Sequence, residues 1–305
     1  MMSIFILIEK ILYYPSKIGP LSKNTIIEIP KYSSLSNIAS ILEDKNIIED
    51  KYYFIIHSYF SGKAKLLKAG EYSFSKNISQ NDVLNKLYEN NVKLYKLVIP
   101  ECYSNKQIFE IIKKNLQIPT IQSDYSEGAF FPSTYFFSKD TSVDKLLEVM
   151  YDEANTKFLK LYNQYKDNIS DVLNQSEVLV LASIIEAEAR KVEEQNKIAG
   201  VFINRLRKGM KLQSDPTVIY GINKTVYLGR PLKKIDLLLS HEWNTYRIHG
   251  LPPTPICNVG INAFRAALNP EKSSNLYFVA DGKGGHIFSE TYEEHKKNIK
   301  MIFKK

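Results

Sequence analysis

"VLVLASIIEAEAR", residues 178–190, decides how this chain is read. From Val178 to Ile185 the only polar side chain is Ser183. At about 100° per residue these side chains cover the whole circumference of a helix, and a helix apolar on every side is buried. Glu186 and Glu188 follow at once, although acids are rarely buried without a partner or a task. Two positions apart on one helix, they point about 200° away from each other. Glu186 continues the row of Leu179 and Ser183, and Glu188 the row of Leu181 and Ile184. Two readings stand. In one, both acids have reached the helix end and Glu186 pairs with Arg190 at i, i+4. In the other, Glu186 is a carboxylic acid whose pKa is raised by its apolar setting, ready to release a proton near neutral pH.

Outward from this helix, the chain of 305 residues with 44% hydrophobic content can bury a sizeable core and suits two domains. Its net charge of +8 admits nucleic acid, an anionic surface or a lysine-rich exterior. The lysines are scattered, however, and no zinc-finger spacing or aromatic RNA-binding signature accompanies them, which argues against a nucleic-acid partner. The two cysteines, Cys102 and Cys257, are far apart, with no CxxC pair and no Cys/His cluster. No metal site and no cofactor site is expected from that inventory. A single long-range disulfide stays open.

The opening "MMSIFILIEKILYYPSK" is apolar but carries Glu9 and Lys10, and its clean run from Met1 to Ile8 is far short of the roughly 20 residues of a spanning helix. Residues 1–20 are therefore a short apolar segment and a candidate anchor. Beyond Pro20 the pattern is α+β. A strand is expected at Thr25–Ile29, a helix carrying Leu35, Ile38, Ala39 and Leu42, and a helix or buried strand ending at Gly62. A strand at Glu71–Phe74, a helix capped near Ser79 and a strand leading to Pro100 complete the module. Further on, helices are expected at Ser104–Asn115, Val143–Lys166, Ser176–Arg190 and Glu193–Lys208, the last closed by Gly209. The segment "SEGAFFPSTYFFSKD" reads as an aromatic loop, and the chain from Gly209 to about Ile256 as irregular. A helix at Gly260–Ala267, a hairpin turning at Asp281–Gly285 and a helical tail close the chain.

Three loops could carry chemistry. In "FINRLRKGMKLQSDPTVIYGI" (202–222), Asn204 and Arg205 lie on the second helix, and Gln213, Ser214, Asp215 and Thr217 surround Pro216 ahead of Tyr220. Such amides and hydroxyls suit sugars, and they equally suit turn capping. "NTYRIHGLPPTPICNVG" (244–260) sets Asn244, Thr245 and Tyr246 before a proline run, which makes either a rigid cleft wall or a structural crossover. "DGKGGHIF" (281–288) lacks the context of a phosphate loop, and His286 reads as a hairpin residue. Together these place one isolated acid among sugar-friendly loops.

With these residues in view, the chain resembles the endolytic murein transglycosylases, the YceG-like family. The likeness runs from about Thr25 to the C-terminus through "LKAGEYSF", "LVIPE", "EGAFFPSTY", "LASIIEAEA", "VFINRLRKGMKLQSDPTVIYG", "NTYRIHGLPP" and "LYFVADGKGGHIFS", in the family's order. The resemblance implies a LysM-like α+β module over residues 21–98 and a larger mixed α+β catalytic domain over residues 99–305. It places the catalytic acid on Glu186 and substrate-binding positions on Asn204, Gln213, Asp215, Thr217, Tyr220, Asn244 and Tyr246. It further implies a peptidoglycan glycan strand as substrate, with cell-wall synthesis proteins as partners. The protein would be anchored in the cytoplasmic (inner) membrane, its catalytic domain on the periplasmic or outer face. Cys102 stands where the family usually has glycine, and Ala129, Phe130, Phe131, Pro253, Thr254 and Val259 also depart from its pattern. None of these departures touches Glu186.

The implied chemistry explains the single acid. A hydrolase uses two carboxylates, whereas a lytic transglycosylase takes its nucleophile from the substrate, the MurNAc C6 hydroxyl, and leaves a 1,6-anhydro end. Glu188, by its opposite direction, is then a supporting residue. The rival readings are a cell-wall binding or scaffolding protein that grips glycan without cutting it, and a muramidase that leaves reducing ends.

Overall fold

A computed structural model describes residues 14–189 and 191–303 of the chain. It is a mixed α+β protein whose described residues divide into two compact units, one up to Lys96 with Phe136–Thr141, the other Leu97–Tyr135 with the described residues from Ser142 on. The apolar run Met1–Ile8, with Glu9 and Lys10, lies outside the described residues. Among the described residues no helix is long and apolar enough to cross a membrane.

In the first unit, β1 (Thr25–Ile29) pairs antiparallel with β2 (Gly70–Phe74), Thr25 opposite Phe74 and Ile29 opposite Gly70. Side chains alternate across a strand, so Ile27 and Ile29 face inward with Tyr72 and Phe74. Helices α1 (Leu35–Asp44), α2 (Lys51–Phe60) and α3 (Gln80–Tyr88) supply Ile38, Leu42, Phe54, Val83, Leu84 and Leu87 to the same core. Each helix starts where a short polar side chain accepts a backbone N–H, Ser34, Asp50 and Ser79 in turn. The segment "KYYFIIHSYF" is thus a helix, with Asp50 as the residue that starts it.

Next along the chain, β3 (Tyr95–Val98) pairs with β4 (Thr134–Phe137). The latter corrects the reading of that aromatic stretch as a loop: Tyr135 and Phe137 alternate inward with Thr134 and Phe136 outward, the period of a strand.

The second unit is built around α6 (Gln175–Glu188), preceded by α4 (Asn105–Leu116) and α5 (Val143–Tyr165). Asn174 and Glu177 close a capping box at the start of α6, each side chain bonding the other's backbone N–H. As its composition requires, α6 is buried nearly all round, with Val178, Val180, Leu181, Ala182, Ser183, Ile184 and Ile185 inside. It packs against α7 (Val192–Arg207) and α9 (Ile261–Leu268), which contribute Ile198, Phe202, Ala263, Phe264 and Ala267. Full burial of each large side chain is worth roughly 1.5–3 kcal/mol. Lys208 caps α7, and Gly209 follows in the left-handed conformation expected of it.

The stretch from Gly209 to Ile256 is not irregular throughout, because α8 runs from Asp215 to Asn223. Pro216 reads as a helix breaker, yet in the first turn its missing N–H costs nothing, and Asp215 there complements the positive helix end. The hairpin of β5 (Tyr277–Ala280) and β6 (His286–Ser289) follows, Ala280 opposite His286, and α10 (Tyr292–Phe303) ends the described chain. Asp281 holds the turn by accepting the N–H groups of Lys283 (2.6 Å) and Gly285 (2.9 Å).

Candidate active site

Glu186 occupies the last full turn of α6, where the apolar helix meets the loop before α9. Its Oε2 accepts the backbone N–H of Gly260 at 2.9 Å, and its Oε1 lies 3.4 Å from Nε2 of Gln195 on α7. Burial pushes its carboxyl up to about 7, and the negative Glu101 side chain adds to the rise. Gly260 caps α9, so the N–H that reaches Glu186 comes from a positive helix end and favours the ionised form, as does the Gln195 amide. Burial wins. The result is a half-buried acid that can hold or release its proton near neutrality. Gln195 is itself buried, and its Oε1 has no hydrogen-bond partner among the described residues. Arg190, the alternative partner, lies outside the described residues.

Glu188 points elsewhere, as its helical position requires. Its Oε1 accepts from Ser214 Oγ at 2.6 Å, and burial, with Asp215 nearby, pushes it up to about 7 as well. Ser214 opens a polar chain: its N–H donates to Thr245 Oγ1 (2.9 Å), which meets Thr217 Oγ1 at 2.8 Å, and Thr217 donates to Ser214 O at 2.7 Å. Tyr246 OH donates to Asp215 Oδ1 at 2.7 Å. Gln213 has a left-handed backbone (φ 50°), an N–H on Thr245 O at 3.1 Å, and an exposed side chain. Gln213, Asp215, Thr217 and Tyr246 are therefore brought together beside Glu188.

Tyr220 belongs to a third group. Its OH donates to Glu127 Oε2 at 3.0 Å, while Glu127 Oε1 accepts the N–H of Asn105 at 2.8 Å. Burial holds the Glu127 carboxyl above the usual range. Asn258 joins the group by accepting the N–H of Phe130 (2.8 Å) and donating to Tyr103 O (2.8 Å). Beside Glu127 lies a cavity of about 600 Å³, lined by Gly128, Tyr151, Leu179, Pro252 and Pro255 among others. On α6 the cavity is lined by Ser176, Glu177, Leu179 and Val180, in the first half of the helix.

The remaining two expected positions hold backbone. Asn204 donates its amide to Ser273 O (2.7 Å) and Asn275 O (3.0 Å). Asn244 is fully buried and donates to Leu237 O (3.0 Å) and Leu239 O (2.6 Å) while accepting the N–H of Tyr246 (3.0 Å). Both amides have spent their donors inside the protein. Four contributors carried too weak a signal to be read from sequence: Gly260 acts through its backbone, Gln195 lies in a polar run, and Glu127 and Asn258 meet their partners across long stretches of chain.

Comparison with known proteins agrees over nearly the whole chain. The model of the YceG-like family matches residues 27–301. A relative from Bacillus subtilis (strain 168), named endolytic murein transglycosylase, is 32% identical over 323 residues, covering 94% of this chain and 88% of its own. One of the same name from Streptococcus pneumoniae (strain R6) is 29% identical over 91% of this chain and 58% of its own length. In structure, a YceG-like protein from Listeria monocytogenes is similar at a TM-score of 0.58 with 32% identity, covering 90% of this chain and 98% of that one. The chain belongs to the YceG-like family.

Proposed function

We propose that this chain is an endolytic peptidoglycan lytic transglycosylase in which Glu186 is the one catalytic acid and base. The observation that carries the reading is the setting of Glu186, a half-buried carboxyl held near neutrality and steered by Gly260 and Gln195. The names of the relatives support the substrate class. Protonated Glu186 donates to the oxygen linking MurNAc to GlcNAc as the bond to C1 breaks. The carboxylate so formed takes the proton of the MurNAc C6 hydroxyl, whose oxygen closes on C1. A 1,6-anhydro-MurNAc end results, no water is consumed, and Glu186 is protonated again. Neutral and ionised forms of comparable stability suit a group that must do both.

Among the expected glycan contacts, Gln213, Asp215 and Tyr246 keep polar atoms toward solvent and are the contacts we favour. Thr217 and Asn244 build the frame that holds them, while Asn204 and Tyr220 brace neighbouring segments at Ser273, Asn275 and Glu127. In the same reading, residues 21–98 form a LysM-like module that helps hold the strand, and the N-terminal apolar segment keeps the protein at the outer face of the cytoplasmic membrane, where it trims or terminates nascent glycan. The test is digestion of purified sacculi with mass spectrometry of the products. Anhydro-muropeptides support the reading; reducing ends would make the protein a muramidase, and no release would make it a binding protein.

A further inference from the structure

We propose that Cys102 and Cys257 form a disulfide that ties the Glu101–Tyr103 turn to the loop carrying Gly260. The two Sγ atoms are 3.1 Å apart although the residues are 155 positions apart in the chain. A disulfide bond is about 2.05 Å long, so closing the gap takes a movement of about one ångström. The two main chains already lie side by side: Cys102 N–H donates to Asn258 O at 2.9 Å, and Asn258 N–H donates to Tyr103 O at 2.9 Å. The Asn258 amide reinforces the pair at Tyr103 O (2.8 Å). Cys102 also has φ 60°, the left-handed region that a residue with a side chain occupies only when its surroundings over-determine it. That conformation aims its Sγ at Cys257.

The chemistry runs in one direction by access. Cys257 is buried, with its Sγ against Ser183 O at 3.6 Å, and burial pushes its thiol up, whereas Cys102 is half-buried. With a small-molecule disulfide as oxidant, the Cys102 thiolate attacks one oxidant sulfur, a mixed disulfide forms, and the first oxidant thiolate leaves. Cys257 then gives up its proton and attacks Cys102 Sγ, and the second thiolate leaves. The protein loses two hydrogens and the oxidant becomes two thiols.

The bond would add a covalent anchor between two existing ones. Ile256 N–H is held by Ser183 Oγ (3.0 Å) and Gly260 N–H by Glu186 Oε2 (2.9 Å), with Cys257 between them. Only this consequence for Glu186 rests on the proposed function; the bond itself does not.

The full chain is incubated with oxidised glutathione, denatured, labelled with a maleimide and mapped by mass spectrometry, and its melting temperature is measured with and without reductant. The expected result is a cross-linked peptide pair holding both cysteines, no label on either, and a melting temperature that falls on reduction. In Cys102→Gly, Cys257 should take the label and the melting temperature should ignore reductant. Two labelled cysteines, or glutathione retained on Cys102, would overturn the proposal. A cross-link whose reduction leaves the melting temperature unmoved would overturn its clamping role. Neither readout involves peptidoglycan, so failure here and failure of the proposed function are distinguishable.

Discussion

Ser183 and Glu186, one turn apart on α6, hold the two ends of one loop: Ser183 Oγ accepts the N–H of Ile256 at 3.0 Å, and Glu186 Oε2 accepts the N–H of Gly260 at 2.9 Å. The one hydroxyl in an otherwise apolar run is thus a peg for the loop that aims a backbone donor at the acid. Ser183 spends its own proton on Val180 O at 2.7 Å.

Ser183→Ala should leave the Ile256 N–H buried without a partner, at a cost of about 1–3 kcal/mol. Chemical denaturation would read this as a lower midpoint with an unchanged slope. On the proposed mechanism, release of anhydro-muropeptides should slow as well, because Gly260 is then less firmly held. A variant as stable as the wild type would show that the peg carries no load.

Stability should depend on pH through the raised carboxyls. Glu186 and Glu188 stand near 7 against an ordinary 4.5, and Glu127 is raised in the same direction. Their contribution is fully present below about pH 4.5, where each is neutral in folded and unfolded chain alike, and is lost as pH rises through 7. His57, His241 and His295 are all held low by burial and act in the opposite sense, favouring the fold increasingly as pH rises toward their ordinary 6.5 and fully above it. The contribution of Asp236, lowered to about 2 by Arg230, is fully present above its ordinary 3.8 and is lost only as pH falls through 2, outside this window. The informative quantity is therefore a difference. Relative to the wild type, Glu186→Gln/Glu188→Gln should gain stability between pH 5 and 8, by roughly several kcal/mol. A difference that is flat across this range would contradict the raised values.

Gln195 can present either end of its amide to Glu186, an N–H to the carboxylate or a carbonyl to the protonated acid. The orphaned Oε1 and the long 3.4 Å contact suit a group that serves both states. Its N–H favours the ionised form, so Gln195→Leu should move the alkaline limb of the rate profile upward, by up to about one pH unit, and lower the maximal rate. An unmoved limb in a folded variant would assign Gln195 to packing alone.

How much of this could be read in the sequence differs by residue. The burial of Val178–Ile185 and the divergence of Glu186 from Glu188 follow from helical geometry alone, and both are seen. The hairpin around Asp281–Gly285 was equally plain, because its turn chemistry is local. By contrast, α8 hid behind Pro216, whose effect depends on whether it stands inside a helix or at its start. The strand at Thr134–Phe137 hid among aromatics that suit strands and loops alike. Gly260 could not be found by side-chain reasoning at all, since its contribution is an N–H brought from 74 residues away. Gln195 lies in the polar run "EEQNK", where nothing local marks it as the buried member.

The central claim is that one carboxyl, Glu186, carries the proton in both directions. It is tested most directly by comparing the initial rate of anhydro-muropeptide release from the same sacculi by wild type and Glu186→Gln, at pH 6 and with matched melting curves. The account predicts a fall of about 10²- to 10⁴-fold in a variant that melts no lower than the wild type. Release at the wild-type rate by a folded Glu186→Gln protein would contradict it.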